Sequence, residues 1–524
     1  MTADGGTPQR ALPAGFTVAV DPEVRLLDQG RVMVGGAPLR LVRLTDAGAA
    51  AVRRWSAGGP VGAGTAERRL AAQLLDAGLL QPRPDPAAGP TAASVTVVVP
   101  VRGQHRQLLR LLERLGPDDG GAVVVVHDGP DQPDPADQPD PADQPDPADQ
   151  PDRPGPAAGR QPRWPTRSGG GLPVAHMVLP RRVGPGGARH AGMARVTSAL
   201  VAFLDADCLP DPGWLHLLLP HFEDPAVAAA APRVVAGPPM HVADVQPTLQ
   251  RLLQDYDALR SPLDLGDRPG PVRPGSRVPY VPTAALVLRR DVYQQVGGFD
   301  ASLHVGEDVD LVWRIAGRGW QVRYEPAAHV AHDVRVGLRR WLGQRYTYGT
   351  SAAPLARRHP AAVAPVQLSG STLAAWLLAA GGQRGAALGV AAASTALLAP
   401  KLRPVVPHPW PEALRLAGRG HLAAGLRLAE ALRRVWWPAA VVAAVGRRRW
   451  RWSAAAVLAE PAVQWVRQAP PLPLPWWLVL RLADDMAYGA GVWAGCLRQR
   501  TITPLLPEVA RWPPRRVSPF ALGE

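Results

Sequence analysis

The sequence predicts an α/β protein built on an open, mainly parallel sheet, preceded by a small winged-helix-like α+β unit and followed by a mainly helical, apolar region. Three observations predict it. Residues 95–100 and 123–126 are short, continuous β-branched runs, the pattern of strands buried on both faces. Residues 104–115 between them put Leu108, Leu111, Leu112 and Leu115 on one helical face, which gives the strand–helix–strand order of an open sheet. Beyond residue 350 the chain turns alanine-rich, with a stretch free of formal charge from 360 to 383.

Taken in order, residues 1–90 form the first unit. Phe16 to Val20 alternates, Val24 to Leu27 and Arg31 to Val34 follow, and Asp28-Gln29-Gly30 between the last two reads as a hairpin turn. Thr45 is the expected N-cap of a helix, and residues 67–80 read as a second amphipathic helix. Proline and alanine from 81 to 91 mark a linker, after which an α/β domain spans 93–350. The sheet is expected to include 95–100, 123–126, 174–179, 199–204, 284–288 and 321–324. It is interrupted at 131–172. There the hexapeptide Asp-Gln-Pro-Asp-Pro-Ala starts at Asp131, Asp137 and Asp143, and proline with like charge at that density cannot build a core, so disorder is expected.

The last region, 351–524, is expected to be helical. Its apolar pieces, 360–383 and 385–400, are broken by proline, glycine and serine and fall short of a clear membrane span. Paired tryptophans at 436–437 and 476–477, the first pair upstream of Arg447-Arg448-Arg449, suit a lipid headgroup boundary, so contact with the inner face of the cell membrane is an open alternative to an ordinary helical core.

Composition limits the partners. A net charge of +14 over 524 residues would ordinarily suggest nucleic acid. Nearly all of it is arginine, with Lys401 the single lysine, in a chain rich in alanine, glycine and proline, a bias that resembles a GC-rich coding genome. No nucleic-acid partner is therefore expected, and an anionic lipid or a nucleotide diphosphate fits equally well. Two cysteines, Cys208 and Cys496, exclude a disulfide framework and a Cys-based zinc site, and a cytoplasmic location is expected. The first residues lack the basic start and apolar core of a secretory signal.

The candidate site lies at strand carboxyl ends, where open α/β sheets bind ligands. Asp205-Ala206-Asp207 closes an apolar run, and carboxylates spaced by two in an extended segment project to one side, where both can approach a cation and the phosphate it carries. Asp128 ends the second strand; it could accept from a base or ribose, or simply serve a tight turn before Gly129. Residues 184–192, Gly-Pro-Gly-Gly-Ala-Arg-His-Ala-Gly, open a helix expected to run to Ser198, whose N-terminus with Arg189 would receive a diphosphate. Glu307 and Asp308 sit in the first turn of another helix, where the dipole favours the ionised state that a general base needs, although capping is a competing role. His332, after the last strand and Pro326, is a candidate metal ligand or a structural histidine.

As a set, these motifs over residues 94–350 resemble the inverting family 2 glycosyltransferases with a GT-A fold. Residues 12–16, 31–40 and 348–355 further resemble the mycofactocin-system glycosyltransferases of actinobacteria. The resemblance implies Asp128 for nucleoside contact, Asp207 and His332 for a divalent cation (Mg²⁺ or Mn²⁺), Asp205 for the donor sugar or ribose, and Asp308 for the base, with Arg189 and Glu307 completing the substrate-binding set. It implies UDP-glucose as donor and mycofactocin or its precursor as acceptor, joined by β-1,4 linkage, and, on a weaker match, peptide binding by the N-terminal unit. Two positions depart from the family pattern: His127 stands where aspartate is common, and His190 where asparagine is. The alternatives are transfer to a lipid or cell-wall polysaccharide, and a non-catalytic peptide- or DNA-binding protein.

Overall fold

A computed structural model describes residues 10–130, 164–237, 247–333, 337–446 and 450–510. The acidic-proline hexapeptides lie outside the described residues.

The N-terminal unit carries β1 (Val18–Val20), β2 (Arg25–Leu27), β3 (Val32–Gly35), β4 (Arg40–Arg43), α1 (Asp46–Ser56), α2 (Thr65–Asp76) and β5 (Leu80–Pro82). The strands β2, β3 and β4 make an antiparallel meander, and β1 pairs with β5. The turn at Asp28–Gly30 is where the sequence placed it. Thr45 caps α1, its Oγ1 accepting from the Gly48 N–H at 3.1 Å. The second helix stops at Asp76 instead of Leu80, because Gly78 turns the chain at φ +69 and sends it into β5. Two helices with a meander and a two-stranded ladder make up this unit. It is fastened to both other regions: Arg277 pairs with Asp21 (3.1 Å) and Glu23 (2.8 Å), and Arg25 with the buried Glu412 (2.6 Å).

The central domain contains β6 (Val95–Val101), α3 (His105–Arg114), β7 (Ala122–His127), β8 (Val174–Val178), α4 (Gly184–Met193), β9 (Leu200–Leu204), β10 (Cys208–Pro210), α5 (Trp214–Leu218), β11 (Val227–Gly237), α6 (Pro247–Arg260), β12 (Gly270–Pro271), β13 (Ala285–Arg289), α7 (Arg290–Gln295), α8 (Glu307–Gly317) and β14 (Gln321–Asp333). The sheet runs β10-β14-β11-β13-β9-β6-β7-β8, with β12 beside β14. Strands β9, β6, β7 and β8 are parallel, whereas β13 runs antiparallel between β9 and β11, so the sheet is mixed. Core side chains lie on both faces, as expected for strands covered on each side.

Three expectations need correction. Strand β14 does not end near Tyr324: past Pro326 it resumes pairing with β11 after a register shift between Pro232 and Arg233, and it carries His332 on a strand. Helix α4 ends at Met193, five residues short of Ser198, and its last turn tightens onto the carbonyls of Ala191 and Gly192. The insertion expected to be disordered to 172 is ordered from Trp164 onward, where that indole packs among His105, His127 and His176 at centroid distances of 4.9, 4.7 and 5.7 Å.

The remaining region is helical: α9 (Leu338–Thr350), α10 (Ala352–Arg358), β15 (Gln367–Ser369), α11 (Gly370–Ala380), α12 (Arg384–Leu402), α13 (Pro409–Arg434), α14 (Trp437–Gly446), α15 (Trp450–Gln468), α16 (Leu474–Gln499) and β16 (Glu508–Ala510). Among the described residues α12 alone is long and apolar enough to cross a membrane, and 28% of its span is buried against the protein. The pair Trp476-Trp477 is split: Trp477 is fully buried and donates to the Pro461 carbonyl at 2.9 Å, while Trp476 is 48% exposed. Helices α9 and α16 cross in backbone contact, since a Cβ at Gly349 would lie 2.0 Å from the Tyr488 carbonyl oxygen.

Candidate active site

The carboxyl ends of β6, β7 and β9, the start of α8 and the end of β14 converge on one cavity of about 1760 Å³. All seven residues singled out from sequence, Asp128, Arg189, Asp205, Asp207, Glu307, Asp308 and His332, line it.

Antiparallel pairing of β10 with β14 sets Cys208 opposite His332 and draws the Asp333 N–H onto the Asp207 carbonyl at 3.0 Å. The Asp207 carboxylate therefore faces the His332 imidazole, Oδ2 to Nε2, at 3.6 Å. One carboxylate oxygen and one imidazole nitrogen are the donor set that Mg²⁺ or Mn²⁺ accepts. The neighbouring Cys208 thiol lies within 4.8 Å of both, but burial and the two aspartates push its pKa well above the ordinary value, so it stays protonated and is a poor ligand. A residue that sequence reasoning missed, Gln104 ahead of α3, donates to Asp207 Oδ2 at 3.1 Å and orients that carboxylate.

Arg189 lies 3% exposed beneath the cavity floor. It donates to Asp205 Oδ1 at 2.5 Å and to Glu307 Oε1 at 3.2 Å, so it joins α4, the end of β9 and the start of α8. The N-terminus of α4, read as an anion site, already holds a carboxylate of the chain itself. Asp128 Oδ1 accepts from the Val183 N–H at 2.7 Å and Oδ2 from the Gly184 N–H at 3.0 Å.

Helix α8 begins at Gly306, whose φ of +80 admits glycine readily and starts the helix abruptly beside the cavity. Asp308 Oδ1 accepts from the Val309 N–H at 2.8 Å. The helix dipole was expected to keep both acids ionised, but burial outweighs it. Glu307 is pushed up to about 7, first by burial and then by the charge of Asp308, against the pull of Arg189. Burial raises Asp308 and Asp205 as well. Asp310, which is 1% exposed, faces away from the chemistry, accepting from Arg314 Nε at 2.7 Å and lying 2.9 Å from His359, which ties α8 to α10.

The two departures from the family pattern have structural partners. His190 Nδ1 lies 2.9 Å from the Tyr293 hydroxyl, which accepts from the Phe299 N–H at 3.3 Å and so fixes the Gly297-Gly298-Phe299 turn. His127 Nε2 lies 3.1 Å from His176 Nδ1 under the Trp164 ring.

The chain is 40% identical to the pre-mycofactocin glycosyltransferase of Mycobacterium tuberculosis (strain CDC 1551 / Oshkosh) over 95% of its own length and 98% of that protein. It belongs to that glycosyltransferase family. The description "Glycosyl transferase family group 2" matches residues 200–403 of this glycosyltransferase, from β9 through α12. Its mixed α/β domain is GT-A-like, and it is an enzyme of family 2. The non-catalytic alternative is thereby set aside. A more distant relative, polypeptide N-acetylgalactosaminyltransferase 15 of Mus musculus, is 29% identical over 30% of this chain and 25% of its own. Among solved structures, a mannosyltransferase of Pyrobaculum calidifontis in complex with GDP-Man and Mn²⁺ covers 78% of this chain and 89% of its own at 18% identity and TM-score 0.38, too low to support any inference.

Proposed function

We propose that this glycosyltransferase moves glucose from UDP-glucose to pre-mycofactocin with inversion, giving a β-linkage, 1,4 where a second glucose follows the first. The single observation that carries the acceptor is the full-length 40% identity to a protein of that activity. The site supports the reaction type.

In this reading Asp128 and Asp205 contact the nucleoside and donor sugar, and Arg189 holds Asp205 and Glu307 in place. Asp207 and His332 would hold Mg²⁺ or Mn²⁺. A divalent cation so bound supplies neutralisation of charge on the departing diphosphate. Asp308 accepts the proton of the acceptor hydroxyl as that oxygen bonds to the anomeric carbon. The bond from that carbon to the diphosphate oxygen breaks on the opposite face, and UDP leaves. One displacement inverts the centre, so an α-linked donor gives a β-linked product. General-base assistance of this kind contributes about 10²–10⁴-fold.

The location we propose is the cytoplasm, at the inner face of the membrane. Exposed Leu388 and Leu397 on α12, and exposed Leu414 and Leu422 on α13 with the exposed Arg415 and Arg419 between them, support lipid contact. Co-sedimentation with phosphatidylglycerol vesicles is expected, and absence of binding at low salt would remove this placement. Peptide binding by the N-terminal unit has weaker support, since none of the described residues 10–92 lines the cavity.

The test of function is direct. Purified enzyme with UDP-glucose, Mn²⁺ and pre-mycofactocin is expected to release UDP and add hexose increments to the acceptor by mass spectrometry. UDP release without any hexose on pre-mycofactocin would overturn the acceptor, and transfer from another nucleotide sugar in preference would overturn the donor.

A further inference from the structure

Helix α8, which bears the proposed base, is held from outside the central domain. Asp310, two residues past Asp308, is 1% exposed and has a partner on each carboxylate oxygen. Oδ2 accepts from Arg314 Nε at 2.7 Å, within the same helix. Oδ1 accepts from His359 Nε2 at 2.9 Å, and His359 follows directly on α10 in the helical region. Arg358 does not replace it: its Nε stands 3.8 Å from Oδ1, and its guanidinium donates to Asp300 at 2.6 Å and to Ser302 Oγ at 3.0 Å.

The same imidazole touches α8 a second time. Its ring meets the Trp313 ring edge-on, with centroids 5.2 Å apart and planes at 83°. Asp310 and Trp313 are neighbours on one helical face, so the two contacts together fix the roll of α8 about its axis. The start of the helix is pressed against the same region, since a Cβ at Gly306 would lie 3.0 Å from Ser351 Cβ and 3.1 Å from Leu355 Cδ1. Its far half is tied to the central domain by Arg314, which donates to the carbonyls of Val296 at 2.7 Å and Gly298 at 2.6 Å.

Roll matters because of where Asp308 stands. Residues two apart on an α-helix project about 200° apart, so Asp308 lines the cavity while Asp310 faces His359. Side chains reach about 5–6 Å from the helix axis, and a roll of about 10° therefore carries the Asp308 carboxylate about 1 Å. A misplacement of that size costs up to about 10²-fold in rate. Without the bond from His359, the Asp310 carboxylate keeps only its partner within α8, and a partner in the same helix cannot resist that roll.

We propose that His359 is a positioning residue for transfer, holding the Asp308 carboxylate in place through its hydrogen bond to Asp310. This rests on the reading of Asp308 as the base. It gives the helical region a part in the rate of the reaction.

The test compares full-length His359→Phe and His359→Gln. Phenylalanine keeps a ring against Trp313 and removes the donor, whereas glutamine keeps a donor near the position of Nε2. With UDP-glucose, Mn²⁺ and pre-mycofactocin, kcat is expected to fall about 10–10²-fold in His359→Phe. In His359→Gln most of that loss should be recovered, with both KM values and UDP affinity near wild type in each variant. The His359→Phe change made on top of Asp308→Asn should cost nothing further, because its effect runs through that carboxylate. An unmoved kcat in His359→Phe would overturn the proposal, as would equal losses in the two variants or a full additional loss on top of Asp308→Asn. A loss of UDP affinity in step with kcat would mark general damage and overturn it too. Near-normal turnover in Asp308→Asn alone would instead overturn the reading of the base, and the positioning role with it.

Discussion

Arg189 and Asp205 meet through a 2.5 Å hydrogen bond beneath the cavity floor, with Glu307 on the same guanidinium at 3.2 Å. One buried cation thereby compensates two acids brought in by separate elements. Arg189→Met keeps the bulk and removes the charge, leaving both carboxylates uncompensated. Breaking a buried pair in this way costs about 3–5 kcal/mol, so the urea midpoint should fall clearly. An unmoved midpoint would show that this bridge does not hold the site together.

Glu307 makes the site sensitive to pH. Its pKa in the folded protein is pushed from 4.5 up to about 7, so the folded state holds this proton more tightly than the unfolded chain does. The stabilisation that follows is fully present below pH 4.5 and is lost as pH rises to 7. In Glu307→Gln that part of the pH dependence of stability should disappear. An unchanged slope of stability against pH in the variant would mean that another group carries it.

Asp308→Asn keeps the shape of the first turn of α8 and removes the proton acceptor. Transfer should fall by about 10²–10⁴-fold while UDP binding in the presence of Mn²⁺ is unchanged. Near-normal turnover would place the base elsewhere.

The proposed metal site can be tested through Gln104, which donates to Asp207 Oδ2. Outer partners of a metal ligand typically govern about 10–100-fold in affinity. Gln104→Ala should therefore weaken Mn²⁺ binding within that range, read by calorimetry without any acceptor, and Asp207→Asn should weaken it further. Equal Mn²⁺ affinity in wild type and Gln104→Ala would mean that the 3.1 Å contact does not orient the ligand.

Much of the sheet side was legible in sequence because its signals are local. The β-branched runs of β6 and β7 mark their own burial, and Asp205 and Asp207 announce the end of β9 by spacing alone. Strand β11 escaped notice because its run of alanines, Ala228 to Ala231, carries no β signature; only its neighbours β13 and β14 make it a strand. His332 was found as a residue but misplaced in structure, since Pro326 suggests a strand end and only pairing with β11 and β10 shows that the strand resumes. Tyr280, Tyr348 and Tyr488, which also line the cavity, were missed for a different reason: they come from three distant elements, and no periodicity in any of them points to the others.

Glycines in the helical region offer the sharpest contrast between local propensity and packing. Replacing glycine by alanine inside a helix ordinarily stabilises by about 0.5–1 kcal/mol, and Gly418 in α13, with no atom within 4 Å of an added Cβ, should follow that rule. Gly491 in α16 should reverse it. There an added Cβ would sit 2.0 Å from the Tyr346 carbonyl oxygen, a backbone atom that cannot swing aside, so α9 and α16 would have to separate. Overpacking of this kind costs about 1–3 kcal/mol. Thermal melts of Gly418→Ala and Gly491→Ala should therefore move in opposite directions from wild type. Two upward shifts would mean that the two helices are not in backbone contact.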